Sequence, residues 1–259
     1  MPNLPTNAVA AASASCVPSL HRRLTLAVLG LSLLPGPLWA AGFIDDSHGT
    51  LTLRNYYLDR DYVADLYQQD TLALLHNLPL GDGVLSSDLR SFFSREDGSA
   101  KAGRVDNRNL SALFGYKFGG HRVSLGYMHS SGDTATPYIS GTELMGMSEL
   151  TMSSDFLNAK ERTWQAIYDY DFAAAGVPGL KSRLRYVRGD HIELAAFNAS
   201  ERKEREFQME LGYVLQSGPL KNLGLVARKS IYRNDFPAGA AFRDENQTRF
   251  LVLYTLPIW

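Results

Sequence analysis

The chain has 259 residues, 45% of them hydrophobic and 20% charged, with a formal net charge of −1. That composition excludes a disordered polymer, a collagen and a charged tail, and the near-neutral charge removes the broad electrostatic basis for binding nucleic acid. Glycine (22), tyrosine (13) and phenylalanine (12) are plentiful, which leans toward β structure with many turns.

The first forty residues read as an address. His21-Arg22-Arg23 is a basic patch, Leu24 to Leu34 is a mostly apolar run of eleven, and Pro35-Gly36-Pro37 breaks any helix before Leu38-Trp39-Ala40-Ala41. A basic start, a short apolar stretch and a small-residue exit are the plan of a secretory signal peptide. The expected division is therefore a signal peptide over 1–40, cleaved after Ala40, and a β-barrel domain over 41–259. A membrane anchor is the competing reading, but eleven residues are about half of the roughly 20 that a spanning helix needs. The single cysteine, Cys16, precedes the apolar run, so it is not placed for lipid attachment, and the rest of the chain can form no disulfide. Taking the two arginines of that segment from the 26 basic residues leaves 24 against 27 acidic ones, a net charge of −3.

Beyond residue 41 the dominant pattern is alternation with period two, the mark of strands with two different faces. In 163–172, Trp164, Ala166, Tyr168, Tyr170 and Phe172 are all apolar, whereas only Ile167 is apolar among the interleaved five. The window 109–118 gives the same result, with Leu110, Ala112, Phe114, Tyr116 and Phe118 on one face. In 206–215 the apolar set is Phe207, Met209, Leu211, Tyr213 and Leu215. Ten strands are predicted, near 50–60, 68–80, 84–94, 107–118, 121–130, 162–172, 180–189, 205–216, 222–233 and 246–258. Gly81-Asp82-Gly83, Gly119-Gly120, 173–179 and 217–221 are short turns, and 95–106, 131–161, 190–204 and 234–245 are longer and polar.

Short turns at one end and long loops at the other are the plan of an antiparallel transmembrane β-barrel. Strands of about ten residues suit a tilted crossing of the hydrocarbon. A soluble periplasmic sandwich would alternate as well, with its apolar residues inward. The two differ in where the rings sit. Tyr168, Tyr170 and Phe172 cluster near one strand end, as do Tyr116 and Phe118, which fits an aromatic girdle at a membrane interface. The chain closes on Tyr254-Thr255-Leu256-Pro257-Ile258-Trp259, in keeping with the aromatic residue that commonly ends such barrels as an assembly signal.

Several segments together resemble OprD-type outer-membrane porins. They include Gly42-Phe43-Ile44-Asp45-Asp46-Ser47, Leu51-Thr52-Leu53-Arg54-Asn55-Tyr56-Tyr57 and Leu78-Pro79-Leu80-Gly81-Asp82-Gly83. Ser94-Arg95-Glu96-Asp97-Gly98, Val105-Asp106-Asn107-Arg108 and Tyr168-Asp169-Tyr170-Asp171-Phe172 continue the resemblance. So do Gly176-Val177-Pro178-Gly179-Leu180, Arg185-Tyr186-Val187-Arg188-Gly189-Asp190 and Gln216-Ser217-Gly218-Pro219. The resemblance implies an all-β barrel, normally of eighteen strands, in the outer membrane of a Gram-negative bacterium. It implies passive uptake of small carboxylates or amino acids along a ladder of basic side chains, with no cofactor. The implied partners are outer-membrane lipid and lipopolysaccharide, the barrel-assembly machinery and, as the porin default, two further copies in a homotrimer. The sequence departs from the family in one large way. Between Asp59-Arg60-Asp61 and Asp65-Leu66-Tyr67-Gln68-Gln69 a long central stretch of strands is missing, including loops that in the family fold inward. About ten strands remain.

If the apolar face meets lipid, parity lists the charges of the other face. The cations are Arg90, Lys117, Arg122, Lys181, Arg183, Arg185, Arg228 and Arg249; the anions are Asp88, Asp169, Asp171, Glu206 and Glu210. Lys181, Arg183 and Arg185 lie at i, i+2 and i+4, so three cations project in line about 7 Å apart. An arginine fork pairs two-pronged with a carboxylate, so a solute carboxylate can pass from one to the next. With the resemblance, the candidate path comprises Lys181, Arg183, Arg185, Arg228 and Arg249, the last of ambiguous parity. The opposing reading is that these cations pair with Asp169, Asp171, Glu206 and Glu210 and fill the interior. Size favours it, because eight strands leave a filled lumen and 16–18 a channel. The protein would then be a shortened, purely structural barrel.

The charged segments Glu96-Asp97, Asp244-Glu245 and Glu201 to Glu206 read as solvated faces rather than sites for divalent cations or lipopolysaccharide. Met145, Met147 and Met152 are expected to pack the longest loop over the barrel mouth. A barrel hydrolase is the most distant alternative. The sequence has no Gly-x-Ser-x-Gly, His-Glu-x-x-His, P-loop or Cys-x-x-Cys. Its only local Ser/His/Asp grouping, His129, Ser130 and Asp133, is a set of sequence neighbours, which seldom forms a triad. No catalytic residue and no metal site is predicted.

Overall fold

A computed structural model of the protein describes residues 48–58, 67–96, 104–137 and 151–254. The expected signal peptide, the junction at 59–66, Met145, Met147 and the closing Trp259 lie outside these residues. Ten strands form one antiparallel sheet in sequence order. They are β1 (His48–Leu58), β2 (Tyr67–Leu80), β3 (Gly83–Glu96), β4 (Asp106–Phe118), β5 (His121–Ser131), β6 (Arg162–Asp171), β7 (Leu180–Leu194), β8 (Ala199–Val214), β9 (Gly224–Asn234) and β10 (Glu245–Leu253). Among the described residues β1 and β10 pair only with β2 and β9, so the two edges are not joined to each other. No described helix is long and apolar enough to cross a membrane.

The alternation of the sequence is reproduced with its sense reversed relative to a soluble sandwich. Trp164 is 60% exposed and Phe250 80%, while Gln165 is 4% and Glu206 0% exposed. Leu110, Phe114, Leu125, Leu184, Phe207, Met209 and Leu211 share the exposed face. Asn107, Asn109, Ser124, Ser130, Thr163, Arg185 and Glu204 are buried on the other. A face of apolar side chains open to the surroundings, backed by a buried polar face, is stable only where the surroundings are hydrocarbon.

The connections at one end are tight. Leu80 pairs with Gly83 and Phe118 with His121, leaving two-residue loops in both hairpins. Gly81 and Gly119 take φ of +56° and +52°, the left-handed conformation such turns require. Just above this end the outward rings of β4, β5 and β6 form a continuous belt. Tyr116 stacks on Phe118 at 5.6 Å and Phe118 on His121 at 5.2 Å, His121 meets Tyr170 at a tilt at 4.7 Å, and Tyr170 meets Phe172 edge-on at 4.7 Å. A second pair, Tyr127 and Trp164 at 4.6 Å, lies toward the other end. Six residues separate Trp164 from Tyr170, about 20 Å along the strand. These are the two aromatic borders of an apolar band.

At the long-loop end the expected loop 190–204 is mostly strand. β7 and β8 continue to Leu194 and Ala199, with register shifts on either side of Ile192, and a 3-10 turn at Ala195–Phe197 closes the hairpin.

Candidate functional site

A buried apolar cluster lies against the inner face, where a loop has folded in. Phe156 is fully buried among Met128 of β5, Val187 of β7 and Tyr232 of β9, with Leu113, Leu157 and Phe242 beside it. The expectation that Met152 packs this loop over the mouth is corrected: residues 151–161 lie on the inner face, so an inward loop is present here. Glu206, fully buried, accepts from the backbone N–H of Met152 (2.9 Å) and Ser153 (3.2 Å), from Gln208 (2.7 Å) and from the Ser230 hydroxyl (2.7 Å). From β10, Gln247 Nε2 and Arg249 Nη2 donate to the Met152 carbonyl at 3.3 and 3.0 Å. The loop's first leg is tied by Thr136, whose hydroxyl donates to Asn107 Oδ1 at 2.9 Å and whose N–H reaches the Leu157 carbonyl at 2.9 Å.

A buried acidic cluster holds the second leg. Asn158 donates through Nδ2 to Glu161 Oε2 (3.0 Å) and to Glu204 Oε1 (2.9 Å), and Tyr232 donates its hydroxyl to Glu204 Oε2 at 2.5 Å. Burial, and next the neighbouring Glu204 carboxylate, hold the Glu161 carboxyl well above its ordinary range. Burial and then Glu206 raise that of Asp155. Gly189 of β7 makes room for this cluster, since a Cβ there would overlap Glu161 Oε1. The reading of Glu201 to Glu206 as a solvated face is therefore corrected. Glu201, Lys203 and Arg205 are exposed, but Glu204 and Glu206 are buried, because the run is strand and alternates.

Below the loop the predicted basic residues come together on the inner face. Asp169 pairs with Arg183, Arg183 with Glu210, Glu210 with Arg228 and Arg228 with Arg249 in direct cross-strand register. Arg183 Nε donates to Asp169 Oδ1 at 2.6 Å, and Arg228 donates to Glu210. Lys181 sits 3.2 Å from Asp171, and Arg185 Nε donates to Gln165 Oε1 at 2.7 Å. Arg249, ambiguous in the sequence, faces inward with Arg228. A cavity of about 60 Å³ under Met152 is lined by Arg183, Arg185, Gln208, Glu210 and Arg228. On β3, Arg90 chelates Asp88 at 2.7 Å, and Arg122 of β5 reaches Ser86 at 3.3 Å. The sequence did not single out Phe156, Asn158, Glu161 or Glu204, which together seat the loop. His129 and Ser130 are adjacent on β5 and so point to opposite faces, and the Ser130 hydroxyl is engaged with Asn107 and Thr136. Among the described residues no cluster of His, Cys, Asp and Glu is arranged to hold a metal.

An antiparallel meander with a polar inner face, a lipid-type outer face, aromatic borders and an inward loop defines the wall of a transmembrane β-barrel. The chain belongs to the OprD family of outer-membrane proteins: residues 62–258 match the family described as outer membrane porin, OprD family. It is 36% identical over 194 residues to the porin-like protein GalP of Pseudomonas putida, covering 75% of this chain and 45% of that one. It is similar to the crystal structure of Pseudomonas aeruginosa OccK3 (OpdO), with 40% identity, a TM-score of 0.71, and coverage of 82% of this chain and 54% of that one. It is also similar to Pseudomonas aeruginosa OpdK solved with vanillate, with 34% identity, a TM-score of 0.67, and coverage of 80% and 55%. The chain spans about half the length of the curated relatives it matches.

Proposed function

We propose that the chain forms the wall and inner constriction of an outer-membrane channel through which small carboxylates or amino acids pass without chemical change. One observation carries this reading: Arg183, Arg185 and Arg228 line a single small cavity directly beneath the inward loop. Two of the three hold a protein carboxylate and the third an amide oxygen, so the site already displays the acceptor geometry a solute would adopt. A passing carboxylate takes the place of Asp169, Gln165 or Glu210 in turn, and Lys181 and Arg249 extend the path at either side. Stepwise exchange of this kind keeps each binding event weak enough to reverse. Vanillate, with which the OpdK relative was solved, is an aromatic carboxylate, and this agrees with the proposed solute class. The barrel-assembly machinery, the surrounding lipid and a homotrimeric arrangement belong to the same proposal.

The test is single-channel conductance of the full chain, refolded in detergent and inserted in a planar bilayer. Stable conductance blocked by a carboxylate, with Arg183→Gln and Arg228→Gln each weakening the block about tenfold, is expected. A folded, heat-modifiable protein that does not conduct would overturn the proposal in favour of a filled, structural barrel.

A further inference from the structure

On the outward face of β7, β8 and β9, at the long-loop end, Arg188 lies directly opposite Arg205, and Arg205 directly opposite Arg233. Residues so opposed hold their Cβ atoms about 5 Å apart, and like charges in that position repel. Like charges are opposed elsewhere in the sheet too, Arg228 with Arg249 and Lys117 with Arg122, but those pairs lie on the inner face beside the carboxylates of Glu210 and Asp169. Here Arg188 and Arg205 make no hydrogen bond or ion pair with any described residue. Arg233 is held at one end of the row by Asp244 at 3.8 Å, by the carbonyls of Tyr232 and Glu245 at 2.6 and 3.2 Å, and by Asn246 Oδ1 at 3.1 Å. An open groove of about 340 Å³ runs over the row, bordered by Tyr186, Lys203 and Asn234. Of the acids at the groove, Asp235 accepts from the Lys203 backbone N–H at 2.7 Å, and Glu204 turns inward to Tyr232.

The row's position adds a second demand. Trp164, the aromatic border of the apolar band, is the cross-strand partner of Arg188 on the other side. Tyr186, Leu184, Phe207 and Met209 continue the same face downward and are exposed. A free anion would meet only the charged half of this surface. An amphiphile with phosphate at its head and acyl chains below meets both halves, and guanidinium forks match phosphate oxygens two at a time. Long loops mark the outer side of such barrels, so the row stands at the height of the outer leaflet's head groups.

We propose that Arg188, Arg205 and Arg233 bind the phosphate groups of the phosphorylated glycolipid of the outer leaflet, lipopolysaccharide, with its acyl chains against Tyr186, Leu184, Phe207 and Met209. The proposal rests on the outward face lying in the outer membrane and is independent of whether a solute passes through the interior.

The test is binding of lipid A in mixed micelles to the full chain, refolded and checked for heat modifiability. Phosphorylated lipid A is expected to bind at least about tenfold more tightly to the parent than to Arg188→Gln/Arg205→Gln. Lipid A stripped of phosphate is expected to bind both proteins equally and weakly, and inorganic phosphate to compete only at millimolar concentration. Arg205→Glu supplies its own counter-charge, so it folds at least as readily as the parent and loses the lipid. Equal binding of phosphorylated lipid A by the parent and the double variant would overturn the proposal. So would undiminished binding of the dephosphorylated lipid, or inorganic phosphate competing as strongly as the lipid itself. The conductance of the channel is read separately, so failure of either proposal is recognised without the other.

Discussion

Two rows of cross-strand neighbours, one on each face of β6 to β9, treat charge in opposite ways. On the inner face Asp169, Arg183, Glu210 and Arg228 alternate in sign, and each cation finds its anion on the adjacent strand. On the outer face Arg188, Arg205 and Arg233 repeat one sign, with acidic compensation only at the Arg233 end. The same sheet builds both rows with the same spacing. The difference lies in what each faces. A shared interior must be nearly neutral within itself, since charges drawn from water repay their desolvation only through partners. A surface turned to a membrane can leave its compensation to the surrounding lipid.

The strongest way to break the inner arrangement is Glu206→Ala, which strips the acceptor from two loop N–H groups, Gln208 and Ser230 at once. A loss of about 3–5 kcal/mol in unfolding free energy is expected, read as a lower urea midpoint with unchanged slope, together with a larger conductance as the loop leaves the interior. Arg228→Glu places a carboxylate opposite that of Glu210, while it relieves the repulsion with Arg249 on the other side. Its cost should be about 1–2 kcal/mol, moderated because both partners are over a third or nearly a third exposed.

A milder probe is pH. The folded-state pKa of Glu161 lies well above its ordinary 4.5, so the folded protein holds a proton that the unfolded chain releases. The resulting stabilisation is complete below pH 4.5 and is lost as pH rises through the folded-state value. Urea midpoints followed upward from pH 4 should therefore decline more steeply in the parent than in Glu161→Gln, whose amide cannot ionise. The smallest effect, of the opposite sign, belongs to the outer row. Arg205→Glu in lipid-free detergent should raise the unfolding free energy by about 0.5 kcal/mol, because it turns two repulsions into attractions. If instead both reversals destabilise equally, the contrast between the rows fails.

The wall of the barrel was legible in the sequence because a strand writes its two faces at a strict period. Trp164, Tyr168 and Leu110 fell on the exposed face and Gln165, Asp169 and Arg183 on the inner one by parity alone. The inner loop was not legible. Phe156 is a single ring among polar residues, and nothing periodic announces that it will wedge between Met128, Val187 and Tyr232. Parity placed Glu206 on the inner face, but Glu204 was hidden for a related reason. In a run of mixed charge, composition suggested solvent, and only the continuation of β8 past Arg205 shows that every second residue is withdrawn from it. The outer row escaped notice because it exists only in the register of three strands, each contributing one arginine.

The meander carries a final implication, for the order in which the molecule comes together. Each strand's partner is the strand just made, so hairpins can zip one after another with short closures except between β5 and β6. The loop at 151–161 is the exception. Met152 is held by Glu206, Gln247 and Arg249, groups that lie 54, 95 and 97 residues further along. Its seat is completed only when the tenth strand is in place, so the docking of this loop follows the zipping of β5 to β10.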